Sequence, residues 1–227
     1  MKKTIIANLK MNFSGSVFSV VANNKDFEVE QNLVGKFNVY NALGVVAASV
    51  AIGLSNEVIS SGLRSLKSVP GRFELVSKKP CDVIVDFAHT PDGLANVLKT
   101  VKAIAKGKIF CIFGCGGNRD AGKRAEMGLI STLYSDLVIV TSDNPRFEKP
   151  EKIVADIMSG IENKSKVYNI LDRQKAIIFA IKMAQKDDVV LICGKGAEDY
   201  QEIDGIKYPF SDKDVVCKYV KQKIENN

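Results

Sequence analysis

Residues 137–146 read LVIVTSDNPR. Four branched apolar residues in a row suit a strand buried on both faces, as in a parallel sheet. The run then meets an acid, an amide, a rigid proline and a guanidinium, so directed polar groups stand at its carboxyl end. In open α/β sheets ligands bind along that edge, and an arginine fork there can hold a carboxylate through two parallel charge-assisted bonds. The plainer alternative is a proline-containing turn in which Asp143 or Asn144 satisfies backbone amides.

The same rhythm extends outward. VIVDFA (83–88), IFCIFG (109–114), VYNI (167–170) and VVLICG (189–194) read as further strands. Thr90-Pro91 caps a helix whose Leu94, Val97, Leu98, Val101 and Ile104 fall at helical spacing. Further helices are expected near 122–134, 149–161 and 173–185. A hairpin is expected at Asp204-Gly205, and Ser211-Asp212 opens a last helix. Strands alternating with helices predict an α/β, Rossmann-like domain with a mostly parallel sheet covered on both faces.

Upstream the pattern differs. KTIIANLKMN (3–12), SVFSVVA (16–22) and FEVEQNL (27–33) read as a meander of short strands, with turns at Ser14-Gly15 and over Asn23-Asn24-Lys25-Asp26. An alanine-rich helix follows from Phe37 to about Gly53, and a second over roughly 55–66. Pro70-Gly71 breaks the pattern, so the boundary is set near residue 68, giving regions 1–68 and 69–227.

At 227 residues and 46% hydrophobic content, a sizeable core is expected. No run of about 18 apolar residues predicts a membrane span, and the amino terminus lacks the apolar stretch of a signal peptide. Five cysteines (81, 111, 115, 193 and 217) form no CxxC pair, which argues against a zinc or disulfide framework and for a reduced cytoplasm. The formal charge of +6 comes from dispersed lysines without a basic–aromatic stripe, so nucleic acid is not an expected partner.

Polar clusters close the other strands as well. Phe113-Gly114-Cys115-Gly116-Gly117-Asn118-Arg119-Asp120 precedes a helix, and glycines there let backbone approach a ligand while the helix start favours anions. It matches neither GxGxxG nor the Walker pattern. Gly194-Lys195-Gly196-Ala197-Glu198 ends the last core strand, and Asp86-Phe87-Ala88-His89 ends the first. His89, the single histidine, reads either as a possible site residue or as a capping or packing residue; Lys195 is a further possible one. Four such ends should converge on one sheet edge.

Taken together, GRFE (71–74), DFAHTPDG (86–93), FGCGGNRDAGKR (113–124), SDNPR (142–146) and GKGAEDYQ (194–201) resemble the Mur ligases in order and spacing. FNVYNALGVVAA (37–48) resembles the end of that family's central ATPase domain. The resemblance implies a carboxyl-terminal Mur ligase domain preceded by the end of an ATPase domain, and an ATP- and Mg²⁺-dependent, cytoplasmic ligase of peptidoglycan synthesis. ATP phosphorylates a substrate carboxylate, and the incoming amine displaces phosphate. It places Asn38, Asn41, Arg72 and Asp86 at ATP. It places Arg119, Asp143, Asn144, Pro145, Arg146, Gly194 and Glu198 at the incoming amino acid. The DNPR form resembles the branch that adds meso-diaminopimelate to a UDP-N-acetylmuramoyl-dipeptide, as a monomeric full-length enzyme. Diaminopimelate carries a second carboxylate that lysine lacks, and Arg146 is a partner for it.

Three positions depart from the family pattern: Phe87 for tyrosine, Asn118 for aspartate and Ala197 for histidine. The phosphate-binding loop, the Mg²⁺ ligands and the uridine-nucleotide domain have no counterpart in these 227 residues. The expectation is therefore a fragment inactive alone, with no metal ligands of its own. A non-catalytic module for amino acid or nucleotide, and a lysine-adding ligase, stand as alternatives.

Overall fold

A computed structural model describes residues 5–22 and 25–225. The chain forms two compact units, Met1–Val69 and Pro70–Asn227. The first begins with the antiparallel strands β1 (Ile5–Asn12), β2 (Gly15–Ala22) and β3 (Lys25–Gln31), in the order β1-β2-β3. Asn23 and Asn24 of the expected second turn lie outside the described residues. Helices α1 (Lys36–Ala51) and α2 (Asn56–Ser65) follow, the second capped by Ser55. Alternate residues of β2, Phe18, Val20 and Ala22, pack with Val29, Val39, Ala42, Val46 and Ile59 into this unit's core, as the period of two requires.

The second unit contains β4 (Glu74–Ser77), β5 (Asp82–Asp86), α3 (Pro91–Ile104), β6 (Ile109–Phe113), α4 (Lys123–Tyr134) and β7 (Leu137–Val140). Then come α5 (Pro150–Met158), β8 (Val167–Asn169), α6 (Arg173–Met183), β9 (Val189–Cys193), the hairpin β10 (Tyr200–Ile203) and β11 (Ile206–Pro209), and α7 (Asp212–Glu225). The six-stranded sheet runs β4-β5-β9-β6-β7-β8. All neighbours are parallel except β4 and β5. The central strands β6 and β9 are buried at every position, which accounts for their unbroken apolar runs.

Val83, Val85, Phe110, Ile112, Ile139, Val190 and Ile192 face Ala176, Ile177, Ala180, Ile181 and Val216 of α6 and α7. Alternate strand residues point to the other face, and there α3 buries Leu94, Val97, Leu98 and Val101. Thr90 caps α3 through Gly93 N–H, with Pro91 in the first turn. Strand β4 is the element that the sequence pattern did not reveal. RFELVS follows a Pro-Gly break and carries Glu74, whose carboxylate takes the Gly71 amide (2.8 Å) and Lys213 Nζ (2.7 Å) rather than water.

Two helix starts are tied together beneath the sheet's carboxyl edge. Arg173 and Asp212 open α6 and α7, have no exposed side-chain surface, and pair bidentately at 2.7 and 2.8 Å. Arg173 also donates to the carbonyl of Cys193 (2.9 Å). Burial disfavours its charged form, but Asp212 outweighs that and holds the guanidinium above its usual range. Removing one partner of a buried pair leaves the other charge unmatched. Asp212→Ala should therefore destabilise the chain by about 3–5 kcal/mol, read as a lower urea midpoint in equilibrium unfolding.

Candidate functional site

Strand order decides where the loops meet. The chain passes from β5 to β6, β7 and β8, then returns to insert β9 between β5 and β6. The carboxyl ends of β5, β6, β7 and β9 thus lie side by side. Between their loops is a cavity of about 370 Å³ lined by Phe87 and His89, by Gly114, Cys115, Gly116, Arg119, Asp120 and Lys123, by Asp143, Asn144 and Arg146, and by Gly194 and Glu198. Arg119, Asp143, Asn144, Arg146, Gly194, Glu198 and His89, all singled out in the sequence, are brought together here. Pro145 and Lys195 do not line it.

The segment after β7 is held by the hairpin. Arg146 N–H donates to the Glu202 carbonyl (3.0 Å), and Asp204 N–H to the Arg146 carbonyl (2.8 Å). Asn144 Oδ1 accepts Glu202 N–H (3.0 Å), and Gln201 Nε2 donates to the Asp143 carbonyl (2.7 Å). These bonds fix Arg146 at φ +52°, a left-handed value that costs a bulky residue energy unless its surroundings impose it.

Within the cavity some groups are committed and others free. Lys195, fully buried, donates to Asn144 Oδ1 (3.0 Å) and Glu198 Oε2 (2.9 Å). Asn144 Nδ2 also donates to Glu198 Oε2 (2.9 Å). Burial raises the Glu198 pKa, but Lys195 and Asn144 outweigh it and hold the carboxyl below its usual range. Glu198 is thus an anion whose Oε1 has no partner among the described residues. Asp143 Oδ1 accepts the amide of Asn144 (2.7 Å), the local turn contact that the sequence offered as the plainer reading. Its Oδ2 lies so near Gly194, at φ +115°, that a Cβ there would approach it to 2.6 Å. Arg146 donates from Nε to Glu202 Oε2 (3.1 Å) and from NH1 to the Gly117 carbonyl (2.8 Å). Its NH2 and the whole guanidinium of Arg119 make no hydrogen bond among the described residues.

Other cavity groups are less reactive or lie on its rim. Cys115 is buried, and burial pushes its thiol up to about 12, so it lines the wall as an inert hydrophobe. His89 is exposed, packs edge-on against Phe87, and donates from Nδ1 to the Phe87 carbonyl (2.9 Å). Lys123, which the sequence reading passed over inside its own motif, donates to the His89 carbonyl (2.6 Å).

The residues expected at ATP do not line this cavity. Arg72 is exposed, its guanidinium 4.5 Å from the Phe87 ring centroid. Asp86 is buried, its oxygens accepting the amides of Phe73 and Ala88 (both 2.7 Å), and burial holds its pKa above the usual range. Asn38 and Asn41 belong to α1, where Asn41 Nδ2 donates to Asn38 Oδ1 (3.3 Å) and Asn38 Nδ2 to the Val34 carbonyl (2.9 Å).

The arrangement has counterparts among known proteins. Residues 71–196 match the family model described as Mur ligase, glutamate ligase domain. The chain belongs to the Mur ligase family. It is 49% identical over 211 residues to a UDP-N-acetylmuramoyl-L-alanyl-D-glutamate–2,6-diaminopimelate ligase of Aquifex aeolicus (strain VF5), covering 93% of this chain and 44% of that protein. A protein of the same name from Clostridioides difficile (strain 630) is 54% identical over 183 residues, 80% of this chain and 38% of its own length. A solved structure of a ligase with that name superposes with a TM-score of 0.73 at 38% identity, over 97% of this chain and 46% of that one. This Mur ligase chain therefore spans less than half the length of the curated relatives it matches.

Its departures from the family pattern have local explanations. Phe87 keeps a ring between Arg72 and His89. Asn118 occupies a left-handed position, φ +52°, which asparagine tolerates well, and its Oδ1 accepts the Phe147 amide (3.0 Å). Ala197 is exposed, and its backbone N–H lies where a Cβ on Gly71 would fall. The residue that the sequence reading missed most plainly is Arg124. It is wholly buried, pairing with Glu148 (2.9 Å) and Asp156 (2.8 Å). The signal was present: Arg124, Met127, Gly128 and Ser131 form one buried stripe of α4, so an arginine sat on an inward-facing face.

That ion pair has a pH signature. The Arg124 hydrogen bonds, then the Asn118 amide, hold the Glu148 carboxyl down to about 2. A depressed carboxylate contributes stability that is complete above its unfolded pKa, about 4.3, and lost as pH falls through the folded value. Acid unfolding followed by circular dichroism between pH 5 and pH 2 should show this loss. Glu148→Gln should lower stability at neutral pH and flatten the curve in that window.

Proposed function

We propose that this chain carries the amino-acid-binding part of an ATP-dependent ligase that adds meso-diaminopimelate to UDP-N-acetylmuramoyl-L-alanyl-D-glutamate. The observation that carries the reading is the cavity's balance of charge. Arg119, Lys123 and Arg146 stand with Asp120, Asp143 and Glu198 around one space. Such a lining suits neither a polyphosphate nor a polycation. It suits a zwitterion with more than one charge of each sign, and diaminopimelate has two carboxylates and two ammonium groups. The free NH2 of Arg146 and the guanidinium of Arg119 are donors for carboxylates. Asp143 Oδ2 and Glu198 Oε1 are acceptors for ammonium groups.

In this reading the chain's task is positioning. It holds one amine where it displaces phosphate from an acyl phosphate, forming the amide and releasing phosphate and a proton. Fixing the nucleophile removes much of the entropic barrier. Arg72, its guanidinium over the Phe87 ring, and Asp86 remain the proposed ATP residues of the second unit, and Asn38 and Asn41 those of the first. Among the described residues no three His, Cys, Asp or Glu side chains gather as metal ligands; the Mg²⁺ that a phosphoryl transfer needs is assigned in this proposal to the longer protein. The uridine-nucleotide substrate, the phosphate cradle and the cytoplasmic setting belong to the same proposal for a longer protein, of which residues 1–68 would be the end of an ATPase domain and residues 69–227 the carboxyl-terminal domain. Helix α1 supports this: it is largely apolar, yet its Phe37, Tyr40 and Val45 are exposed, a composition suited to burial in a larger domain.

The test is calorimetric titration of the chain with meso-diaminopimelate and with lysine. Diaminopimelate should bind more tightly, by roughly ten- to hundredfold if the second carboxylate adds one charge-assisted contact. Arg146→Ala should remove most of that preference; equal losses for both amino acids would contradict the pairing, and tighter binding of lysine would favour a lysine-adding ligase.

A further inference from the structure

We infer that Glu202 is a positioning residue for Arg146, and through it a determinant of which amino acid the cavity prefers. The inference rests on the reading of the cavity as a diaminopimelate site. Glu202 lies on β10, 56 residues from Arg146 in sequence, and does not line the cavity. Its Oε2 accepts Arg146 Nε–H at 3.1 Å, with side-chain exposures of 20% and 18%. From the other side the Gly117 carbonyl accepts NH1–H at 2.8 Å. Two acceptors on different edges fix the plane of the fork and leave NH2 for a ligand. Glu202 cannot drift independently, because its own N–H donates to Asn144 Oδ1 (3.0 Å) and its carbonyl accepts Arg146 N–H (3.0 Å).

Two opposing effects follow from a carboxylate in this place. An unrestrained arginine loses rotamer freedom when it binds, and pairing at Nε removes most of that loss in advance. Against this, the negative charge of Glu202 weakens attraction between Arg146 and an incoming carboxylate. Both groups are partly exposed, so the charge effect is screened, and positioning should dominate. Glutamine separates the effects, since its amide oxygen still accepts the Nε–H while the charge is gone.

The experiment uses the 227-residue chain in two parts. Exchange of the Arg146 Nε–H with water, followed by nitrogen-15 NMR without ligand, should be slow in the native chain and in Glu202→Gln. It should be at least about tenfold faster in Glu202→Ala, whose hydrogen bond is gone. Unchanged exchange in Glu202→Ala would overturn the clamp. Titrations should then show that Glu202→Ala weakens diaminopimelate binding by about tenfold, narrowing the preference over lysine, and that Glu202→Gln restores both. Equal weakening for lysine, or no rescue by glutamine, would reduce Glu202 to general support of the hairpin and overturn the specificity role. If the native chain binds no diaminopimelate, the ligand assignment fails and the specificity role with it, while the exchange data still judge the clamp. Glu202→Met, which keeps the stem and removes the acceptor, replaces the alanine variant should that one not fold.

Discussion

Three cations whose side chains have no exposed surface, Arg124, Arg173 and Lys195, hold the functional edge together. A buried cation must be paired and hydrogen-bonded or the fold does not tolerate it. Each is paired by groups from separate segments of the chain, although Arg124 Nε has no hydrogen-bond partner among the described residues. Arg124 joins the glycine-rich segment to Glu148 and Asp156. Arg173 joins Asp212 to the end of β9, and Lys195 joins Asn144 to Glu198. Separating these segments would leave each buried charge without its partner. The segments at the edge are thus joined by charge pairs, although the sheet beneath them is apolar.

The hairpin completes this design. An edge made only of loops would leave the carbonyl and amide groups of residues 143–146 to water. Residues 202–204 of the hairpin instead take up the amide and carbonyl of Arg146 as a short parallel bridge, and Gly117, Glu148 and Gln201 bond the carbonyls of Asn144, Pro145 and Asp143. The bridge imposes the left-handed turn at Arg146. The same bridge sets the side chains of Asn144 and Arg146, so backbone satisfaction and side-chain aim are one event. This also reconciles the two readings of the Asp-Asn-Pro-Arg segment. It is a turn whose polar groups cap local amides, and it presents its remaining polar atoms to a cavity.

Much of this was legible in advance. The strands β5, β6, β7 and β9 and the capped helix α3 were plain, because fully buried parallel strands leave unbroken apolar runs and helices leave a period of 3.6. Strand β4 was hidden because an edge strand beside a Pro-Gly break has neither alternation nor a continuous apolar run. Most of the motif residues expected at an amino acid do share one cavity. Pro145 and Lys195 stand outside its wall, where Lys195 acts through Asn144 and Glu198. Arg173, Asp212 and Glu202 carried no local mark, since their partners lie 39 to 56 residues away.

The sequence by itself determined the element types, the α/β class and the polar strand ends, because these follow from local periodicity and residue chemistry. Only the tertiary structure decided that β9 inserts between β5 and β6, that Arg146 is already paired with Glu202, and that three buried cations bind the loops into one wall. The reason is physical. Periodicity is written in neighbouring residues, whereas the partner of a buried charge is chosen by the fold that brings a distant segment against it.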